Sequence, residues 1–159
     1  MTLVTFAHSF GMCLWIGGAI ASMVIAIGAQ KESGEVRAGV YRLLARVQTS
    51  VVGLGALLVV ASGFLLMMDY STSGLEIMMR EPSRWVMVLV GLLAGVIVLF
   101  VALPTAVRMG GLAVTSESGE MPPAFEIYRR RLEVVSYVAG VLAIIALFAW
   151  YVLPGVPAP

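Results

Sequence analysis

Four stretches without a single Asp, Glu, Lys or Arg dominate this chain: Thr2 to Ala29, Val47 to Met68, Trp85 to Val107 and Val134 to Leu153. A bilayer core of about 30 Å is crossed by roughly 20 helical residues, because a helix rises about 1.5 Å per residue and satisfies its own backbone hydrogen bonds. All four stretches reach that length. With 60% hydrophobic residues, 12% charged residues and a mean hydropathy of +1.00, the 159-residue chain carries more apolar surface than a water-soluble domain of its size has interior to hide. The sequence therefore predicts an all-α fold: a four-transmembrane-helix bundle over residues 1–159, forming one integral membrane domain. The first stretch reads as a spanning helix and not as a secretory signal, since no charge precedes Lys31 and the apolar run far exceeds a signal core.

Basic residues set the orientation. The first loop holds Lys31, Arg37, Arg42 and Arg46 and the third holds Arg108, Arg129, Arg130 and Arg131, against Arg80 and Arg84 in the second. Lys and Arg accumulate on the cytoplasmic side, so eight against two places loops one and three inside and both termini outside. The expected site is the cytoplasmic (inner) membrane of a bacterium.

Within the first loop, Val36, Val40, Leu43, Leu44 and Val47 recur at helical spacing, which predicts an interfacial helix that feeds the second span. The third loop should restart as helix after Pro122 and Pro123. Tyr41, Arg42, Val47, Val51 and Gly53 reappear as Tyr128, Arg129, Val134, Val138 and Gly140 at one constant offset, the pattern expected of two helical hairpins in tandem. Pro104 should kink the third span, and Gly91 and Gly95 should serve helix packing. Arg46, Gln48 and Arg108, at the cytoplasmic boundary, read as anchors in contact with lipid phosphate, as does the Arg129 to Arg131 cluster.

His8 is the only histidine and lies one to two turns inside the first span, where a titratable side chain is costly and by default functional. Along the same side of the helix follow Gly11, Met12, Trp15, Gly18 and Ser22, a strip of small residues beside the His and Trp. Such a strip admits either a close neighbouring helix or a planar cofactor. With the orientation above, Met12, Met67, Met68 and Met87 belong to the outer half, at the depth of His8. Thioether and imidazole together suit Cu(I), and the same pair also holds haem iron. Against this stands the ordinary use of Met as a flexible apolar filler. Cys13, the single cysteine, excludes an intrachain disulfide. No phosphate loop, nucleophile with a base, paired carboxylate or zinc-ligand spacing occurs, and a net charge of +1 gives no footprint for nucleic acid.

The run His8-Ser-Phe-Gly-Met-Cys-Leu-Trp15-Ile-Gly17-Gly18 resembles the first-helix pattern of a group of small bacterial membrane proteins. That group includes the CopD-type copper-resistance domain, the HemJ-type protoporphyrinogen oxidase and predicted integral membrane proteins of similar length. Ala61-Ser-Gly63, Pro82-Ser-Arg-Trp85 and Tyr128-Arg-Arg-Arg131 are similar to the group's elements in the other three spans. The resemblance implies a four-helix fold with His8 as an axial haem ligand. It does not carry the oxidase activity, because Met87, Val88 and Leu89 stand where HemJ-like members have a Lys after the third-span Trp. The match is nearest to the group's predicted integral membrane branch.

Three functions follow as expectations. One is an accessory subunit of a larger respiratory or photosynthetic membrane assembly, with membrane lipid, further copies of the chain or other subunits as partners. Another is a b-type haem protein using His8, with Trp15, Gly11 and Gly18 beside the cofactor. The third is a copper-handling protein using His8 and the methionines.

Overall fold

The structure, a computed structural model, describes residues 2–70, 82–113 and 120–152. Among these residues every regular element is helical: α1 (Thr2–Ala29), α2 (Gly34–Val47), the π turn π1 (Gln48–Val52), α3 (Gly53–Tyr70), α4 (Pro82–Ile97), the π turn π2 (Val98–Ala102), α5 (Leu103–Leu112) and α6 (Pro123–Val152). These join into four helices long and apolar enough to cross a bilayer. The expected four-helix architecture is present. Loop 71–81, the polar stretch 114–119 and the tail from Leu153 onward lie outside the described residues.

Three of the four membrane helices extend past their apolar stretches at the end that bears the arginines, called here the basic end. The amphipathic segment of the first loop is α2, and it runs without a break through π1 into α3. Its buried residues are Ala38, Tyr41, Leu44 and Ala45, whereas Val36 and Leu43 from the expected apolar face are more than half exposed. Small side chains decide this. Ala45 lies directly against Gly110 of α5, an approach that a wider residue on either helix would prevent. α6 begins at Pro123, as expected, where a missing N–H costs nothing.

The expected kink at Pro104 takes the form of a π turn. Proline has no N–H and its ring crowds the carbonyl four residues back, here Phe100, within π2. Widening the turn relieves that crowding, and Leu103 N–H reaches back to Val98 O while Thr105 Oγ1 donates to Val101 O at 2.6 Å. In π1, Gly53 N–H reaches Gln48 O, and Thr49 Oγ1 lies within 3.1 Å of Ala45 O and 3.0 Å of Arg46 O. The threonines thus supply donors where the regular ladder is disturbed.

α1 packs lengthwise along α3, and α4 lengthwise along α6, so the chain forms two hairpins joined through the second and third membrane helices. The sequence repeat maps unevenly onto them, because π1 interrupts the first copy and its counterpart in α6 is regular α-helix. Glycines set the join: Gly95 faces Val60, Gly53 faces Leu103 and Gly110 faces Ala45, three contacts in one antiparallel register. Gly91 meets Ala146 of α6. One core cluster, at the basic end, is built from Ala29, Tyr41, Leu44, Ala106, Met109 and Phe125, among others. A second, at mid-height, centres on Trp15, Val52, Ala56, Ala94 and Ala139. Both are rich in alanine, as expected where close backbone approach and not hydrophobic exclusion drives association.

At the basic end Arg129 is committed to protein partners. Its Nε lies 2.9 Å from Glu126 Oε2 and its Nη1 lies 3.1 Å from Glu133 Oε2. That corrects its expected role as a lipid anchor; Arg130 and Arg131 remain exposed.

Candidate functional site

His8 sits on the face of α1 that meets α3, half-buried, with its Nδ1 3.0 Å from Ser62 Oγ. The hydroxyl proton of Ser62 is directed to the Leu58 carbonyl one turn back along α3. With the Ser62 proton on that carbonyl, Ser62 Oγ can accept from the imidazole, the arrangement that belongs to the tautomer with its proton on Nδ1. A neutral imidazole protonated on Nδ1 keeps its lone pair on Nε2, the nitrogen that can bind a metal. Gly63 makes room for the ring, since a Cβ there would stand 3.4 Å from His8 Cε1.

Gly11, Trp15, Gly18 and Ser22 all lie on the buried side of α1, as the strip predicts. The second membrane helix occupies it. A Cβ on Gly11 would lie 2.9 Å from Gly55 O, and one on Gly18 would lie 3.0 Å from Val52 Cγ2. No slot for a macrocycle remains between these helices within the chain. Trp15 is 3% exposed and belongs to the mid-height core, two turns deeper than His8.

The methionines divide. Met12, one turn deeper than His8 on the same side of α1, packs against the Trp15 cluster. The antiparallel register of α1 on α3 puts Met67 and Met68 level with the first residues of α1, roughly 7 Å along the axis from His8, and the Val60–Gly95 register puts Met87 level with Met68. Met67 and Met87 are half-buried, and Met68 is exposed. Among the described residues no group of three His, Cys, Asp or Glu side chains is close enough to hold a metal ion.

Gln48 corrects the reading of the second span's start. Expected at the lipid boundary, it is 6% exposed and faces inward from π1. It lines a cavity of about 100 Å³ with Trp15, Val52, Val98, Ala102 and Ser136. Its burial follows the inner face already marked by Tyr41, Leu44 and Ala45, a continuity readable once α2 and the span are known to be one helix.

The fold and its lipid-facing shell of exposed Leu, Ile, Val and Phe define a polytopic helical membrane protein. Compared with known proteins, the chain matches no family model, no curated sequence and no solved structure.

Proposed function

We propose that the protein is an accessory subunit of a larger membrane assembly, respiratory or photosynthetic, in the inner membrane of a bacterium. To that assembly it contributes one imidazole ligand, His8 Nε2, for a haem iron or a copper ion whose other ligands come from a second copy or another subunit. The observation that carries this reading is the chain of hydrogen bonds from His8 Nδ1 to Ser62 Oγ and on to the Leu58 carbonyl. Ligating histidines characteristically donate their second N–H to a fixed acceptor, which holds the tautomer and aims the other nitrogen. A lone histidine in a span, clamped in this way, is arranged as a donor to something beyond its own chain. The likeness of the His8 to Gly18 run to haem- and copper-handling membrane proteins supports the same role.

A haem or copper bound there would supply one-electron redox chemistry. The chain's own part is to offer Nε2, to hold its tautomer through Ser62 and to keep the ring against Gly63. Two versions of the reading differ in the partner ligand. In the b-type haem version, His8 of two copies, or His8 and a methionine, flank the iron; in the Cu(I) version, Met67, Met68 and Met87 contribute thioethers from their common level. The test is the optical spectrum and metal content of protein purified in mild detergent from cells supplied with haem and copper, wild type against His8→Ala. A Soret band or bound copper that disappears with His8 supports the ligand role. Wild-type protein without either, whether isolated alone or with its co-purifying subunits, contradicts it, as does a cofactor unchanged by the substitution.

A further inference from the structure

We draw no further inference here: the strongest candidate, the open cavity of about 450 Å³ at the basic end lined by Glu32, Arg37, Glu120, Phe125 and Glu126, is an acidic cluster around one arginine, and nothing in the structure shows what would occupy it.

Discussion

Gly11 and Gly55 bring the first two membrane helices into backbone contact: a Cβ on Gly11 would stand 2.9 Å from the Gly55 carbonyl, and one on Gly55 would stand 2.8 Å from the Gly11 carbonyl. No rotamer relieves a clash with backbone. Gly55→Leu should therefore lower the thermal midpoint in detergent sharply, by more than the 1–3 kcal/mol typical of an overpacked core. Gly17→Leu, at an exposed glycine with nothing within 4 Å, should be near neutral. Similar midpoints for the two variants would show that the helices do not pack on this strip.

At the basic end, Tyr41 and Phe125 meet edge to face with ring centroids 5.0 Å apart, and each is almost fully buried. The pair ties the start of α6 to α2. Phe125→Ala should cost about 3 kcal/mol, the usual range for a buried Phe, whereas Ile127→Ala, at a residue 69% exposed, should cost little. Chemical denaturation in mixed micelles compares them, and an equal loss for both would mean that this end is not packed as described.

The eight-to-two distribution of Lys and Arg predicts the direction of insertion. Reporter fusions at Gly34 and Ser118 should read cytoplasmic and a fusion at Ser73 external. The opposite pattern at Ser73 and Ser118 would invert the bundle and place His8 at the inner face.

The number of membrane helices, and the buried strip from Gly11 to Ser22, were legible because charge-free length and small-residue spacing report directly on lipid and on close packing. The face of α2 was not. Its larger apolar residues Val36 and Leu43 suggested the inner side, yet Ala38 and Ala45 are buried, because at a close helix crossing small size matters more than hydrophobicity. The π turns were equally hidden: Pro104 signals a disturbance of the ladder, but Gln48 to Val52 contains neither Pro nor Gly. Without that turn, Gln48 looks like a boundary residue, and the cavity it lines has no sequence signature. Ser62 was visible only as part of a short motif; its bond to His8 spans 54 residues of chain and depends on the register of two helices.

Ser62→Ala removes the acceptor and leaves the imidazole in place. Loss of such a partner typically weakens metal binding by about 10- to 100-fold, so this variant should retain a cofactor at high supply and lose it on dilution or chelation, while His8→Ala retains none. Retention of the cofactor by Ser62→Ala at wild-type affinity would mean that the hydroxyl does not position the ring.

The most direct measurement uses the fact that the chain has a single histidine. Nitrogen-15 NMR of histidine-labelled, cofactor-free protein in nanodiscs then reports one imidazole alone. The account predicts a neutral ring with a protonated Nδ1 and an unprotonated, pyridine-type Nε2, and exchange between tautomers in Ser62→Ala. A ring protonated on Nε2, or on both nitrogens at neutral pH, would contradict it, for Nε2 would then have no lone pair to offer a metal.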